Sequence, residues 1–195
     1  MTDGGDRRRT LGAGGQDDWV LAERGPFAGS AGHLDAPFRS TPVETVERML
    51  DLARVGPGDR LVDLGCGDGR IVIAAARRGA QACGIDIDAS RIAEARAAAQ
   101  RAGAGDRARF DVGDLFALPL GGFTVVALFL LPHVNRWLET KLVRELAPGS
   151  RVVGHAFPMP NWTPAAQMRD GTASLFLWLA DEPADLSEPV PRRLG

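Results

Sequence analysis

Regular patterning begins near residue 41, where apolar positions take up a helical period. Between Val43 and Ala53 they recur at spacings of three and four residues, which predicts a helix over residues 42–55. Thr41 and Glu44 stand at its start with the spacing of a capping box, in which each side chain bonds a free backbone N–H. The pattern therefore predicts one amphipathic helix ahead of the first strand.

Short apolar runs then alternate with longer segments of helical period. The runs predict strands at Arg60–Leu64, Ala82–Ile85, Ala108–Val112, Phe123–Leu130, Arg151–Phe157 and Ala173–Leu179, and a short seventh strand near Val190. The segments between them predict helices at Gly69–Arg78, Ser90–Arg101 and Asn135–Leu146. Because such alternation forms a parallel sheet covered by helices on both faces, we predict a single α/β domain. Its sheet is doubly wound, mostly parallel and Rossmann-like, with six or seven strands.

Composition divides the 195 residues into three parts. Residues 1–35 are Gly-rich and polar without a sustained period, which indicates a flexible N-terminal segment suited to act as a partial lid. Residues 36–180 carry the predicted domain. Residues 181–195 contain three Pro and little apolar content, which indicates a loose tail.

Charge and apolar content exclude several classes of protein. The formal net charge is −2, so a strongly basic nucleic-acid binder is not expected. The longest apolar run, Phe123–Leu131, is far shorter than the roughly 20 residues of a membrane span. The first thirty residues show no apolar core of a secretory signal.

Cysteine and histidine placement narrows the picture further. Cys66 and Cys83 lie in segments predicted to be buried, as expected for reduced thiols of a cytoplasmic protein. The three His are too scattered to form a local metal motif, so no metal is expected.

A glycine-rich turn, Asp63-Leu64-Gly65-Cys66-Gly67-Asp68-Gly69-Arg70, follows the first predicted strand. Its glycines let a ligand approach the backbone, and the next helix offers free N–H groups. A P-loop would continue with Gly-Lys-Ser/Thr, whereas Gly69 is followed by Arg70 and Ile71. A dinucleotide fingerprint would place its third glycine where Arg70 stands, so a dinucleotide oxidoreductase is the less favoured interpretation.

The spacing Asp63-x-Gly65-x-Gly67-x-Gly69 resembles the first motif of class I S-adenosylmethionine-dependent methyltransferases. In that family an acidic residue ends the first strand and three glycines follow at alternate positions. The resemblance implies that these four residues bind S-adenosylmethionine, with its methionine half against the turn. It also implies that S-adenosylhomocysteine is the product.

The next strand end falls where the same family binds the ribose. The resemblance implies that Asp86 accepts hydrogen bonds from both ribose hydroxyls and that Ile87 packs beside the adenine. The alternative is that Asp86 only ends the strand, while Asp88 caps the following helix. Dinucleotide enzymes also use such an acid, so Asp86 does not separate the two families.

Two later positions complete the implied cofactor set. In Gly113-Asp114-Leu115, the resemblance implies that Asp114 accepts from the adenine amino group and that the next N–H meets a ring nitrogen. The alternative for Asp114 is a cap on a short turn. Leu131, after the fourth predicted strand, is the last residue of the set.

Longer segments of the sequence resemble one subgroup of this family. Phe38-Arg39-Ser40-Thr41-Pro42 and Phe157-Pro158-x-Pro160-x-Trp162-x-Pro164 resemble small single-domain methyltransferases that include mitochondrial protein-lysine N-methyltransferases and their bacterial relatives. The resemblance covers about residues 36–180 and implies N-methylation of a protein lysine. One departure is the acid of the second strand, which is often Glu in this subgroup and is Asp86 here.

Methyl transfer from a sulfonium needs no nucleophile on the enzyme, but an amine acceptor must first lose a proton. His133 and His155, near the ends of the fourth and fifth strands, are the candidate bases, with packing as the alternative for each. Phe157 and Trp162 are candidates for an acceptor channel, again against packing, and Trp137 is assigned to the core.

The sequence leaves open which class of molecule accepts the methyl group. The segment after the fourth strand reads Leu130-Leu131-Pro132-His133, without the Asn or Asp that would bind the planar nitrogen of a base or amide, so nucleic acid is not the expected acceptor. A small-molecule methyltransferase enclosed by residues 17–40, and a non-catalytic S-adenosylmethionine-binding protein, are the alternatives. The charge at the mouth of the cleft and the depth of the pocket would separate a protein acceptor from a small one.

Overall fold

The computed structural model describes residues 40–171 and 173–181. Its helices are α1 (Val43–Leu52), α2 (Arg70–Arg77), α3 (Ala89–Arg101) and α4 (Pro132–Glu145). Its strands are β1 (Arg60–Leu64), β2 (Gln81–Asp86), β3 (Ala108–Val112), β4 (Val125–Leu128), β5 (Arg151–His155), β6 (Ala166–Asp170) and β7 (Ala173–Leu179). The predicted lid segment 1–35, the Phe38-Arg39 part of the subgroup motif, the strand near Val190 and all but the first residue of the predicted tail lie outside the described residues.

The described strands form one seven-stranded sheet in the order β3-β2-β1-β4-β5-β7-β6. The neighbours from β3 to β5 pair in parallel, while β7 runs antiparallel between β5 and β6. After β3 the chain returns to the middle of the sheet, which creates a topological switch point between β1 and β4. The predicted doubly wound, mostly parallel sheet is confirmed.

Alternate residues of the strands supply two cores, one on each face of the sheet. Leu61 of β1 packs with Met49, Val72 and other side chains of α1, α2 and α3. Its neighbour Val62 faces the opposite side and packs with Leu138 of α4. Because successive strand residues point to opposite faces, Leu61 fills one core while Val62 and Leu64 fill the other. The expected helices on both faces are confirmed.

β4 is shorter than predicted because its ladder partners end. Its last residue, Leu128, pairs with Leu64 of β1 and Gly154 of β5. β1 stops at Leu64 because Gly65 turns the chain with φ 81°. Phe129 therefore leaves the ladder at the carboxyl edge of the sheet instead of extending the strand.

Two helices start differently from the prediction. Pro42 is the N-cap of α1 and no side chain caps that helix, so the predicted capping box between Thr41 and Glu44 is wrong. Thr41 lies too early for that role, and its hydroxyl is instead 3.4 Å from Nδ1 of His155. α4 begins at Pro132, earlier than predicted, because proline has no N–H to satisfy and therefore suits the first turn.

β6 is a strand that the sequence pattern does not predict. It lies at the edge of the sheet, and its alternation of apolar and polar residues is only four residues long, Ala166 to Arg169, with none of the four side chains buried. The available signal is Gly171, the first residue of a two-residue hairpin loop, where glycine is typical, and it has φ 60°.

Cys66 and Cys83 are free and buried, and burial raises the pKa of both thiols. The cytoplasmic location inferred from them stays a prediction. Among the described residues, no helix combines the length and the apolar character needed to cross a membrane.

Candidate functional site

The turn after β1 takes its shape from three glycines. Gly65, Gly67 and Gly69 have φ values of 81°, 52° and 78°, which residues with a side chain rarely adopt. Gly69 is also the N-cap of α2, and a Cβ there would lie 2.5 Å from a ring carbon of Phe110 in β3. The turn therefore needs glycine both for its backbone and for its contact with the neighbouring strand.

Asp86, at the end of β2, ties this turn to the next strands. Its Oδ2 accepts a hydrogen bond from the N–H of Gly67 at 2.9 Å, and its Oδ1 accepts from the N–H of Asp88 at 3.0 Å. The N–H of Gly113 donates to the backbone oxygen of Asp86 at 2.9 Å. A carboxylate oxygen accepts more than one bond, so Asp86 has the capacity that two ribose hydroxyls require. Asp88 caps α3 by accepting from Ser90, as predicted.

Asp63 is a buried acid at the floor of the same region, 3% exposed. Burial raises its pKa to about 8, and the charges of Asp86 and Asp68 add to the effect. The pKa of Asp68 is lowered instead, because the hydrogen bonds and charge of Arg70 outweigh partial burial. Arg70 also donates to the backbone oxygen of Thr41 at 2.6 Å, which joins the turn to the start of α1.

A shallow cleft opens beside the turn at the carboxyl edge of the sheet. Its lining includes Thr41, Asp63, Gly65, Asp68, Arg70 and Phe129. Asp63 and Gly65 therefore lie on the cleft itself, while Gly67, Asp86 and Gly113 adjoin it through their hydrogen bonds. The cleft lies where the switch point of the sheet predicts a ligand.

The residues around the cleft fit S-adenosylmethionine. A buried carboxyl group whose pKa is raised by burial and by two other acids suits a cation, because a positive charge beside it stabilises its ionised form. The cofactor carries an ammonium group and a sulfonium. A Cβ at Gly65 would meet Leu130 at 3.0 Å, so only glycine leaves the turn open at this point.

The residues predicted for the adenine lie farther along the same edge. Asp114 accepts from the N–H of Phe116 at 2.9 Å, which is the turn-capping role considered as its alternative. Ile87, Leu115 and Leu131 are half-buried. Their contacts with an adenine stay predictions.

The two histidines occupy different walls. His155 ends β5, is buried, and its ring centroid lies 4.2 Å from that of Phe129. His133 is exposed on the first turn of α4, with its ring edge against Trp137 at 5.2 Å. His155 thus contacts two residues that line the cleft, Thr41 and Phe129, and is the better placed of the two candidate bases.

The two tryptophans differ in burial, and Trp162 takes the packing role that was its alternative. Trp137, assigned to the core, is half-buried between Phe116 and His133. Trp162, considered for an acceptor channel, is 2% exposed, and its backbone oxygen accepts from Nε1 of Trp178 at 2.7 Å. Trp162 therefore belongs to the core, since an acceptor cannot reach a buried ring.

Sequence analysis missed three residues near this site. Phe129 lies inside an apolar run, where nothing separates a cleft residue from a strand residue. Asn135 and Glu139 are buried polar residues of α4, at 0% and 1% exposed. A polar residue inside the predicted apolar face of a helix is the one signal that pointed to them.

Comparison with known proteins agrees with this geometry. Residues 63–166 match the sequence model of the ANTKMT methyltransferase domain. A protein-lysine N-methyltransferase of Saccharolobus islandicus is 41% identical over 147 residues, which cover 73% of this chain and 91% of that protein. The adenine nucleotide translocase lysine N-methyltransferase of Mus musculus is 38% identical over 155 residues, 79% of this chain and 67% of that protein.

A crystal structure described as an RNA methyltransferase from Salinibacter ruber in complex with S-adenosyl-L-homocysteine has the same fold. It superposes with a TM-score of 0.73 at 43% identity and covers 75% of this chain and 97% of its own. The expected enzyme class and cofactor are confirmed: the chain is an S-adenosylmethionine-dependent methyltransferase. Because the matched domain spans more than half of the chain, the chain belongs to the ANTKMT methyltransferase domain family.

Proposed function

We propose that this enzyme transfers the methyl group to the side-chain amine of a protein lysine. Relatives from an archaeon and from mouse, 41% and 38% identical, are named lysine N-methyltransferases. The observation that carries the proposal is the charge of the cleft edge, which is acidic. A lysine ammonium is attracted to such an edge, whereas a polyanion is repelled.

The carboxyl edge of the sheet holds more acids than bases. Asp86, Asp68, Asp88 and Asp114 stand there, besides Asp63 on the cleft floor. Two of the bases at this edge form ion pairs, Arg70 with Asp68 and Arg91 with Asp88. A third base, Arg136 near the start of α4, is exposed. Among these described residues the acids therefore outnumber the bases even with Asp63 protonated.

Several arginines lie at the opposite edge, where the parallel strands begin and the helices end. This edge is remote from the cleft because every strand from β1 to β5 runs from it towards the carboxyl edge. The arginines at or near it include Arg60, Arg77, Arg78, Arg101, Arg107 and Arg151. Two of them form ion pairs there, Arg78 with Glu47 and Asp51, and Arg151 with Asp59. An RNA placed on these arginines would lie away from the residues that bind the cofactor.

When bound, S-adenosylmethionine supplies an electrophilic methyl group on a positively charged sulfur. The residues of the chain bind and orient the cofactor and the acceptor. Asp86 and the backbone of Gly67 would hold the ribose side, and Asp63 would take its ionised form beside the ammonium. The ring of Phe129 lies on the wall of the cleft, where an aromatic face holds the cationic acceptor before it loses its proton.

The acceptor nitrogen must be neutral when it attacks. His155 would support this step through Thr41, which lines the cleft and whose hydroxyl lies 3.4 Å from Nδ1 of the ring, because the buried imidazole does not itself line the cleft. The alternative of a small-molecule acceptor predicts an enclosed pocket. RNA, the substrate class named for the Salinibacter structure, is the second candidate because that protein is 43% identical.

The test is transfer of labelled methyl groups into a cell extract of the parent organism, separated into protein, RNA and small molecules. Each fraction is incubated with the enzyme and labelled S-adenosylmethionine, and the protein is then hydrolysed and analysed for methyl-lysine. Lys141 is the one lysine of the chain, so the enzyme is used as a Lys141→Arg variant that contributes no lysine of its own. Arginine keeps the positive charge that pairs with Glu145.

The expected result is label in methyl-lysine of the protein fraction, abolished by Asp86→Ala. Label confined to RNA would contradict the proposal and support the second candidate. Label confined to small molecules would support the small-molecule alternative instead.

A further inference from the structure

The chain between β5 and β6 is a loop, residues 156–165, which we call the post-β5 loop. It follows His155 directly, so it leaves the sheet at the carboxyl edge beside the cleft. Met159 and Trp162 of the loop are buried, at 4% and 2% exposed, whereas Pro158 and Pro160 are exposed. The loop is therefore anchored inward at two positions and presents a surface at the others.

A tight turn starts the post-β5 loop. The N–H of Phe157 donates to the backbone oxygen of His155 at 2.9 Å, which closes a three-residue turn over Ala156. Ala156 has φ 69°, in a region that residues with a Cβ rarely adopt. Its N–H donates to Ser174 of β7 at 2.8 Å. Such a backbone persists only where its neighbours hold it in place.

Two side chains of α4 hold the loop from the other side. Nδ2 of Asn135 donates to the backbone oxygen of Phe157 at 3.2 Å. The carboxylate of Glu139 accepts from the backbone N–H of Asn161 at 2.8 Å and from its Nδ2 at 3.1 Å. Asn135 and Glu139 are four residues apart and therefore share one face of the helix. We call these bonds the α4 clamp.

Stability of the fold does not by itself account for the α4 clamp. Burying an amide and a carboxylate costs free energy unless their polar atoms are bonded, and burial raises the pKa of Glu139. Within the described residues, Oδ1 of Asn135 and Nε1 of Trp162 are buried without a hydrogen-bond partner. Apolar side chains at these two positions would avoid this cost but would leave the backbone oxygen of Phe157 and the N–H of Asn161 without these partners, so the polar pair indicates that the loop is held in one place for a use.

The α4 clamp joins the two strand ends that form one wall of the cleft. α4 starts just after Phe129, which lines the cleft, and the loop starts just after His155, whose ring contacts Phe129. Apart from Leu131, the predicted cofactor residues lie on the other side, at the ends of β1, β2 and β3. Holding the loop on α4 therefore fixes the side of the cleft that the cofactor leaves to the acceptor.

We propose that Asn135 and Glu139 are positioning residues for the acceptor. They hold the post-β5 loop so that Phe157 and the exposed prolines contact the acceptor polypeptide beside its lysine. The identity of that acceptor rests on the proposed function. A loosened clamp then raises KM for the acceptor and leaves the affinity for the cofactor unchanged, since the two sites use different strand ends.

The test is Glu139→Gln in the Lys141→Arg background. Glutamine keeps the shape of the side chain, but its amide brings N–H donors towards Nδ2 of Asn161, so one of the two bonds to Asn161 is lost. The acceptor probe is the RNase-treated, heat-inactivated protein fraction of a cell extract, and methyl-lysine is measured against its concentration. We expect the half-saturating concentration to rise about fivefold, the equivalent of one net hydrogen bond, with an unchanged Kd for S-adenosylhomocysteine.

Glu145→Gln is the matched control, because it makes the same change on the same helix at a residue that bonds Leu120 and Lys141 rather than the loop. It should leave the half-saturating concentration unchanged. Asn161→Ala removes the side-chain bond from the loop side and serves where Glu139→Gln fails to fold. It should raise the half-saturating concentration in the same way.

Three outcomes overturn the inference. Folded clamp variants with the half-saturating concentration of the parent show that the loop does not position the acceptor. A parallel loss of affinity for S-adenosylhomocysteine shows a general structural role instead. A parent enzyme that forms no methyl-lysine overturns the proposed function, and this inference with it, before any variant is compared.

Discussion

The substitution Asp63→Asn tests two opposing effects of the acid at the floor of the cleft. Its charge is expected to destabilise the free protein and to strengthen cofactor binding. In the free protein Asp63 is a buried acid, 3% exposed, near Asp86 and Asp68. In the complex it faces the ammonium group of the cofactor under the proposed arrangement. Asparagine keeps the size of the side chain but removes the charge, so we expect it to make the free protein more stable and cofactor binding weaker.

The magnitude follows from the pKa of Asp63, which rises from 3.8 to about 8. A carboxyl group with a raised folded-state pKa supports folding fully below its unfolded pKa, and this support is lost as the pH rises towards the folded value. Between pH 3.8 and about 8 the loss is about 1.4 kcal/mol per pH unit. At pH 7 the acid therefore costs the fold about 4 kcal/mol relative to a neutral side chain of the same shape.

Urea unfolding of both proteins from pH 4 to pH 8 measures this difference. Asp63→Asn should be the more stable protein at pH 7, and the difference should shrink steadily towards pH 4, where the acid is protonated in the folded state and close to half protonated in the unfolded chain. The slope of the difference against pH is the diagnostic quantity, because other effects of the amide do not vary with pH in this way.

Calorimetry of S-adenosylhomocysteine binding measures the second requirement. The ammonium of the ligand lowers the pKa of Asp63, so the wild-type protein should release close to one proton on binding at pH 7. Titrations in buffers with different ionisation enthalpies detect that proton. Asp63→Asn should release none and should bind roughly tenfold to a hundredfold more weakly, the range for a hydrogen bond to a charged group.

Equal stability of the two proteins at pH 7 and at pH 4 would show that Asp63 is not held protonated in the free fold. Unchanged affinity and proton release would remove Asp63 from the cofactor site. Either result refutes the reasoning that places a cation beside this acid.

Three further substitutions test other parts of the fold. Asp86→Ala should weaken S-adenosylhomocysteine binding by roughly 1.5–3 kcal/mol, because it removes a charged acceptor; unchanged affinity in calorimetry would exclude Asp86 from the site. Gly69→Ala should lower the free energy of unfolding in urea titrations by about 2 kcal/mol or more, since its Cβ would lie 2.5 Å from Phe110. Gly105→Ala is the control and should not show this loss, because the space around its new Cβ is open. Trp178→Phe should cost about 1 kcal/mol of unfolding free energy, because its Nε1 no longer donates to the backbone oxygen that it bonds at 2.7 Å; an unchanged denaturation midpoint would contradict this.

The parallel part of the sheet and its cofactor edge were predictable because their signals are local. β1 and β3 have the predicted bounds, and the glycine turn has positive φ values at all three alternate positions. These features depend on residues adjacent in the chain, where period, branching and glycine placement act directly. β6 escaped prediction because an exposed edge strand needs no apolar face.

The acceptor side of the cleft depends on contacts between residues that are distant in the chain. The pattern of apolar and polar positions does not predict such contacts. The ring of Phe129 meets His155, and Glu139 bonds Asn161, across loops whose course no local period specifies. Asn135 looks like an ordinary polar residue of a helix until its bond to the post-β5 loop is known. The sequence contains each of these residues, but it does not show which distant residue each one contacts.

This division has a consequence for substrate choice. The glycine turn and Asp86 are predicted to bind a cofactor common to many methyltransferases, so they constrain the reaction and not the acceptor. The acceptor side is held by the α4 clamp and by the packing of Phe129 on His155, where side chains can change without disturbing the glycine turn. A lysine methyltransferase at 41% identity and a structure described as an RNA methyltransferase at 43% identity differ in the acceptor that their names give. Substitutions at the clamp, rather than at the glycines, are the ones expected to alter which molecule is methylated.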